Sequence, residues 1–298
     1  MPPRAFILAA GYGTRLEPFT RKIPKPLFHI LGVPLLKVIF EQLRRAGFYK
    51  IGLNLHHLSS KIATFVSSYQ RKNPDLEISL YYEKEILGPV GALYGAQEFF
   101  IEGPVLVING DILTNFPLNV LWEAGRRWGG VATLLLHYCP PFNKVLLEGE
   151  RIKGFETGKG FAYTGLQVVT PDLVLALKPQ DRDLIPTYTR LLEEGLPICG
   201  LVGTSFYWRD IGTLSSYLAA HEDLLKARAV VPPLIPPHNP YVIRGARIGK
   251  DVIFEDWVFL EPGVEVKEGA RLRRVVAWAG AKIPAGFHKD ALFLPEKL

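Results

Sequence analysis

Cysteine is nearly absent from this chain of 298 residues: Cys139 and Cys199 are the only two. That is too few for a disulfide framework, and their spacing is not that of a zinc site. A reducing, cytoplasmic setting is the expectation. Long apolar runs are missing as well. The stretch Phe6 to Ala10 is too short for the core of a signal peptide, and no run approaches the ~20 residues of a membrane span, so no membrane partner is expected. Asn and Gln together number 12 and Met occurs once, the depletion of thermolabile residues seen in heat-adapted proteins. The net charge is +6, yet Lys and Arg are spread along the chain and no nucleic-acid recognition motif appears. Anionic small molecules, not DNA or RNA, are the partners this charge suggests. Apolar residues make up 48%, and a chain of this length hides roughly 75% of its extended surface, so neither disulfide nor metal is needed for folding.

Short β-rich runs alternate with helical patterns through the first 210 residues. Ala5 to Ala10, Lys50 to Leu55, Glu77 to Tyr82 and Val105 to Asn109 read as strands. Leu35, Leu36, Ile39, Phe40, Leu43 and Ala46 recur at helical spacing and stop at Gly47, and Ser59 to Lys72 and Gly91 to Phe100 repeat the pattern. This is α/β grammar, predicting a Rossmann-like domain with a mostly parallel sheet and ligands at the carboxyl ends of its strands. The segment 230–240 holds five prolines in eleven residues and reads as a stiff linker. From 241 to 298 the grammar changes. Val242, Ile248, Phe254, Leu260, Val266, Leu272 and Trp278 fall every six residues, and Ala246, Val252, Val258, Val264, Ala270 and Val276 follow the first six of them at four. This two-position hexad predicts a short left-handed parallel β-helix; ordinary hairpins turning at Pro262-Gly263 and Glu268-Gly269 are the alternative. The expected division is a domain at 1–229, a linker at 230–240 and a β-helix at 241–298. In the hexad frame Trp257 and Phe259 point outward, which predicts a homo-oligomer through the tail, with docking of the tail on the first domain as the rival explanation.

The first strand runs into Leu8-Ala9-Ala10-Gly11-Tyr12-Gly13-Thr14-Arg15, followed by Pro24-Lys25-Pro26-Leu27. A dinucleotide fold would need a third glycine at Leu16, and a Walker loop would need Gly-Lys-Ser/Thr, so neither common phosphate loop is present. Gly11 and Gly13 let consecutive N–H groups converge on phosphate oxygens, Arg15 adds a forked cation and Lys25 a compact one. Asp111 follows the apolar run ending at Ile108, and Asp210 follows Phe206 to Trp208. Two hard oxygen ligands from separate strands suit Mg²⁺. Against this, Asp111 could close a turn after Gly110, Asp210 could cap a helix opening near Thr213, and Arg15 and Lys25 could be solvated surface charges.

These segments resemble the sugar-1-phosphate nucleotidylyltransferases, whose opening motif is close to L-A-A-G-x-G-T-R-L-x-P-x-T, then P-K-P-L. The likeness continues at Glu83 to Leu93 (EKEILGPVGAL), Val107 to Asp111 (VINGD) and Tyr207 to Leu218 (YWRDIGTLSSYL). It implies a Rossmann-like nucleotidyltransferase domain that joins a nucleoside triphosphate to a sugar 1-phosphate and releases pyrophosphate. By the same resemblance Arg15, Lys25 and Asp111 are catalytic, and Asp111 and Asp210 hold Mg²⁺. The resemblance further implies that Leu8, Ala10, Gly11, Gly13, Thr14, Arg15, Glu83, Gly88 and Gly91 bind the nucleotide and that Asn109, Glu156, Lys159 and Gly165 take the sugar phosphate.

Two departures bear on the substrates. Pro89 and Val90 replace the Thr and Ala of the family's base loop, and Pro89 offers no N–H. On the sugar side Glu156-Thr157-Gly158-Lys159 and Tyr163-Thr164-Gly165 stand where Glu-Lys-Pro and Asn-Ala-Gly are usual. The Glu83 carboxylate could accept N1–H and N2–H of guanine in a fork, whereas uracil or thymine offers one N–H on that edge; an exposed Glu83 with no ligand is the alternative. The preferred reading is GTP with mannose 1-phosphate, giving GDP-mannose. A uridylyl- or thymidylyltransferase is the runner-up, and a non-catalytic regulatory paralogue the third.

Overall fold

Ala5, Phe6 and Ile7 are fully buried in the first strand, as residues of a strand covered on both faces must be. In the computed structural model, which describes residues 2–235, 237, 239–243 and 245–296, this strand lies inside a nine-stranded sheet. Pro236 and His238 of the expected linker, and Arg244, Lys297 and Leu298 of the tail, lie outside the described residues. The chain forms two compact units. The first comprises Met1–Gly11, Phe40–Ile112 and Phe116–Trp208, and the second Tyr12–Ile39, Leu113–Asn115 and Arg209–Leu298.

The strands of the first unit are β1 (Arg4–Leu8), β2 (Lys50–Leu55), β3 (Glu77–Tyr82), β4 (Val105–Asn109), β5 (Ala132–His137), β6 (Val145–Glu148), β7 (Arg151–Phe155), β8 (Ala162–Val169) and β9 (Ile198–Val202). Their order across the sheet is β3-β2-β1-β4-β8-β5-β9-β7-β6. β3, β2, β1 and β4 are mutually parallel, while β8 and β7 each run antiparallel to both neighbours. The sheet is therefore mostly parallel by direction, and the strands expected at 50–55, 77–82 and 105–109 form at those limits. Helices α1 (Leu35–Arg45, in this unit from Phe40 on), α2 (Ser59–Lys72), α3 (Gly88–Gly95), α4 (Leu118–Arg127) and α5 (Leu184–Glu193) accompany it. The helix expected over Gly91 to Phe100 starts earlier, at Gly88, and a second short helix takes Gln97–Phe100. Parallel pairing puts the ends of β1, β2, β3 and β4 on one edge. Leu8 lies opposite Asn54 and Asn109, and Asn54 opposite Tyr81.

In the second unit helix α6 (Leu214–Leu225) opens on Thr213, whose side chain accepts from the Ser216 N–H. The tail forms two parallel ladders: β10 (Tyr241–Val242), β12 (Ile253–Leu260), β14 (Ala270–Ala277) and β16 (Gly286–Phe293) in one, β11 (Arg247–Ile248), β13 (Glu265–Val266) and β15 (Lys282–Ile283) in the other. No antiparallel hairpin joins them among the described residues. Ile253 lies opposite Arg271, eighteen residues or three hexads on, but past an irregularity at Glu255 the partner of Val258 is Val275, seventeen on. This lost residue breaks the hexad frame. Leu260, Val266 and Leu272 enter the tail's core as expected, then Val275 and Ala277 take the inward positions in place of Val276. Trp278 is thereby turned out of that core, a correction to the strict repeat. It stacks on His29 at 4.0 Å between centroids and meets Phe28 edge-on.

The aromatic side chains facing outward are covered within the chain. Trp257 is fully buried and Phe259 nearly so, both against His221 of α6. The need for a neighbouring copy to cover them disappears, and docking within the chain takes its place. Asp256, Arg274 and Asp290 occupy left-handed backbone at successive levels of the ladder. Arg274 bridges the two carboxylates, and Lys226 of α6 reaches Asp256 at 2.6 Å. Lys226 first, then Arg274, holds the Asp256 carboxyl below its usual range.

Candidate active site

At the carboxyl edge of the first unit's sheet, Tyr81, Tyr82, Glu83, Leu87, Ala92 and Gly95 line a cavity of about 260 Å³ together with Asn54, Lys84 and Glu85. This is small for a ligand site, and it lies where an open α/β sheet takes ligands. Glu83 is half-buried and both its oxygens are engaged. Oε1 accepts from Asn54 Nδ2 at 2.7 Å, and Oε2 accepts from the Leu87 N–H at 3.0 Å. Its backbone is pinned too, with Glu83 N–H donating to Leu55 O and Glu83 O in contact with His56 Nδ1 at 3.0 Å. The exposed alternative for Glu83 does not hold. Gly88 has φ +76, and a Cβ there would stand 2.6 Å from Arg182 O; at Gly91 it would stand 3.2 Å from Asp181 O. These two glycines let the start of α3 press against the 181–182 backbone.

Asn109 ends β4, and Gly165, at φ +83, sits where a Cβ would come within 2.8 Å of Asn109 Nδ2. The structure thus joins these two expected sugar-phosphate residues. Glu156 and Lys159 are exposed and pair with each other at 2.8 Å in the turn before β8. Asp111 is half-buried one residue beyond Gly110, whose N–H donates to Leu8 O. His137 packs edge-on against Phe206, and desolvation lowers its pKa, in keeping with a structural histidine.

In the second unit the signature segment folds as three short 3-10 turns, beginning at Thr14, Phe19 and Lys25. Gly13 is left-handed at φ +67, and a Cβ there would meet Thr20 Cγ2 at 2.9 Å; Thr20 Oγ1 donates to Gly13 O. Gly11 has open space around it, so of the two glycines only Gly13 is demanded by the chain itself. Arg15, Lys25 and Asp210 come together. Arg15 Nη2 lies 3.3 Å from Asp210 Oδ2, and Lys25 Nζ lies 3.7 Å from Oδ1. The Arg15 side chain is 61% exposed and that of Lys25 only 12%, so the Lys25 charge is largely desolvated while the Arg15 charge faces solvent. Asp210 is the last residue of a short strand, not the residue after it, and it does not cap α6, since Thr213 does. Its backbone oxygen accepts from Ser216 Oγ.

Three residues in contact with these groups or with the segments that carry them escape the sequence reading. At Gly212 a Cβ would stand 2.5 Å from Arg15 Nη2 and 2.8 Å from Asp210 Oδ1; the Asp-Ile-Gly-Thr run carries the signal. Asn54 is a second, nearly buried at the end of β2; an Asn inside an otherwise apolar strand is the available hint. His29 is the third. Two residues past Leu27, it lies between Trp278 and the Glu261 carboxylate, with Nδ1 2.7 Å from Glu261 Oε1, and its backbone oxygen accepts from Tyr217 Oη. Trp278 Nε1 donates to the same hydroxyl. The tail thereby fastens the segment that carries Arg15 and Lys25.

Residues 4–134 match the family described as nucleotidyl transferase. The chain is 30% identical over 248 residues to the UTP–glucose-1-phosphate uridylyltransferase of Synechocystis sp., a match covering 74% of this chain and 63% of that protein. It is 26% identical over 303 aligned residues to mannose-1-phosphate guanylyltransferase 1 of Arabidopsis thaliana, covering 94% of this chain and 82% of the relative. The structure of HddC from Yersinia pseudotuberculosis complexed with GMP-PN shares the fold at a TM-score of 0.62, with 23% identity over 75% of this chain and 99% of the other. Over residues 4–134 the chain carries the pattern of the nucleotidyl transferase family. Within it, the likeness to sugar-1-phosphate nucleotidylyltransferases seen in its motifs is borne out by these named relatives.

Proposed function

We propose that this protein transfers a nucleotidyl group from a nucleoside triphosphate to a sugar 1-phosphate, with GTP and mannose 1-phosphate as its substrates. The observation that carries the reading is the convergence of Arg15 and Lys25 on Asp210. In the reaction a phosphate oxygen of the sugar 1-phosphate attacks the α-phosphorus, the bond to the β-phosphate bridging oxygen breaks, and pyrophosphate leaves. The nucleophile is already anionic, so the protein's task is to align two repelling anions and neutralise charge at phosphorus. Lys25, largely buried, serves the α-phosphate; Arg15, exposed, holds the β- and γ-phosphates of the leaving group. Asn109, with the space Gly165 leaves it, is the polar group offered to the sugar phosphate.

Mg²⁺ is the proposed cofactor, with Asp111 and Asp210 as its carboxylates. The described residues contain no cluster of three His, Cys, Asp or Glu that could hold a metal ion. Two hard oxygens completed by phosphate and water fit Mg²⁺ better than a protein-only cage does. When bound, the ion would supply further neutralisation of phosphate charge.

One observation favours the second reading, a uridylyl- or thymidylyltransferase. Both Glu83 oxygens already accept an N–H, so a guanine fork would have to share each of them, whereas a pyrimidine needs only one. Turnover of GTP, UTP and dTTP against mannose 1-phosphate and glucose 1-phosphate tests the assignment. GTP with mannose 1-phosphate is expected to give the highest kcat/KM, and a better pyrimidine nucleotide would overturn the base assignment.

We also propose that the tail's ladders are coils of a left-handed β-helix, which their parallel pairing at sixteen to eighteen residues supports. A homo-oligomer through the tail remains part of the proposal, resting on exposed Ile248, Ile253 and Phe287; sedimentation as a monomer at micromolar concentration would refute it. No helix among the described residues is long and apolar enough to cross a membrane, and both cysteines are free. A cytoplasmic setting is proposed on the second of these facts.

A further inference from the structure

Four polar groups on the first unit's carboxyl edge form one continuous relay. The Ala9 N–H donates to Asn54 Oδ1 at 2.7 Å, Asn54 Nδ2 donates to Glu83 Oε1 at 2.7 Å, and Glu83 Oε2 accepts from the Leu87 N–H at 3.0 Å. The sheet order explains how one side chain can do this. β2 lies between β1 and β3, so Asn54 at its end stands between the start of the signature motif, just after β1, and Glu83, just after β3. Asn54 is only 4% exposed, so every polar atom it leaves unpaired would carry the full cost of a buried group.

We propose that Asn54 is a positioning residue for nucleotide binding, holding the Ala9 turn and the Glu83–Gly88 loop in a single register. The proposal rests on the reading that this edge binds a nucleotide. Only an amide does both tasks here, because Ala9 offers a donor that needs an acceptor while Glu83 offers an acceptor that needs a donor. An aspartate at this position could serve Ala9 but would set a second carboxylate against Glu83. A leucine, similar in size, would serve neither. The carboxylate of Glu83 would then lose the partner that fixes its rotamer, and the Leu87 amide would lose its fixed acceptor at the mouth of the cavity.

The relay makes a specific swap informative. In the double variant Asn54→Asp with Glu83→Gln, the carboxylate introduced on β2 still accepts from Ala9 and now also accepts from the new side-chain amide. The oxygen of that amide still accepts from Leu87, so every bond is remade, with the polarity of the central one reversed. Two measurements on the full chain test this. The first is hydrogen exchange at the Ala9 and Leu87 amides in the ligand-free protein, which needs no assumption about activity. The second is the equilibrium affinity for GTP, UTP and dTTP without sugar 1-phosphate.

Asn54→Leu is expected to speed exchange at both amides and to weaken the best-bound nucleotide by about tenfold or more, the factor that follows from leaving one buried polar group unpaired. Asn54→Asp is expected to do the same at Leu87. The double variant should restore exchange at both amides and bind nucleotide at least as tightly as Glu83→Gln alone. Unchanged exchange in Asn54→Leu would overturn the relay, as would a double variant no better than Asn54→Asp, and this holds even if Asn54→Leu fails to fold. Faster exchange with unaltered nucleotide affinity would overturn the positioning role. Wild-type protein that binds no nucleotide would instead refute the functional reading, while the exchange result would still decide whether the relay exists.

Discussion

Acid should unlock the second unit through His221. This ring, on α6, is fully buried against Trp257 and Phe259 of the tail, and both its nitrogens have assigned work: Nε2 accepts from the Leu31 N–H at 3.3 Å, so Nδ1 carries the proton and donates to Tyr217 O at 3.1 Å. A second proton would have to enter at Nε2, against an N–H already pointing there. Desolvation, the main cause, takes its pKa from 6.5 down to about 4, against the opposing pull of the Tyr217 carbonyl and Glu261. The unfolded chain therefore binds this proton more readily than the folded one. The stabilisation is complete above about pH 6.5 and is lost as pH falls toward 4, a change of about 3 kcal/mol for one such histidine. Asp256 and Asp290, held below the usual carboxylate range by hydrogen bonds to Lys226 and Arg274, release their contribution at lower pH and in any variant that keeps them. The assay is urea unfolding followed by tryptophan fluorescence from about pH 7.5 to about pH 4.5, comparing wild type with His221→Gln, which can donate and accept but does not titrate. The wild type should lose about 2–3 kcal/mol more than the variant over this range. Parallel stability curves for the two proteins would refute the reasoning.

Lys25→Ala and Arg15→Ala should fold normally and lose about two orders of magnitude or more in kcat, since each removes a cation acting on transition-state charge; near-normal turnover in either purified variant rejects its role. Gly212→Ala should lower kcat/KM about tenfold while changing stability by less than about 1 kcal/mol, because the new Cβ displaces Arg15 and Asp210 at the rim and leaves the core intact; an unchanged rate would show the close approach to be incidental. Trp278→Phe keeps an aromatic ring beside His29 but removes the buried N–H to Tyr217, and should cost about 1–2 kcal/mol of stability in chemical denaturation; no loss would mean that the tail does not fasten His29. Chelation by EDTA should abolish turnover and Mg²⁺ should restore it, and an EDTA-insensitive rate contradicts the assignment of Asp111 and Asp210.

The parallel half of the sheet is legible in the sequence because β1, β2 and β4 are mostly buried apolar runs, while β3, EISLYY, is read from its β-branched and aromatic residues although none of them is fully buried. Lys50–Leu55, Glu77–Tyr82 and Val105–Asn109 are read to the residue. The antiparallel insertion of β8 between β4 and β5 is not, since no local pattern states which neighbour a strand will choose. The hexads foretell parallel ladders in the tail. They misplace Trp278 because a repeat read by counting cannot see a coil that is one residue short. At the site, Arg15, Lys25 and Asp210 are legible as charges in motifs, and the structure brings those three together. Asn54, Gly212 and His29 are not legible in the same way. Their roles depend on partners that lie 29 residues away for Asn54 and Glu83 and 232 for His29 and Glu261, and a single sequence gives no view of such pairs.

The most direct test of the account follows the phosphorus atoms. GTP labelled in its α-phosphate, and separately in its γ-phosphate, is incubated with the protein, Mg²⁺ and mannose 1-phosphate. Transfer at the α-phosphorus predicts that the α label appears in a sugar nucleotide, that the γ label appears in pyrophosphate, and that neither appears when Lys25 is replaced by Ala. A γ label found on the sugar, or an α label retained in GTP with every sugar 1-phosphate and nucleotide tried, would contradict it.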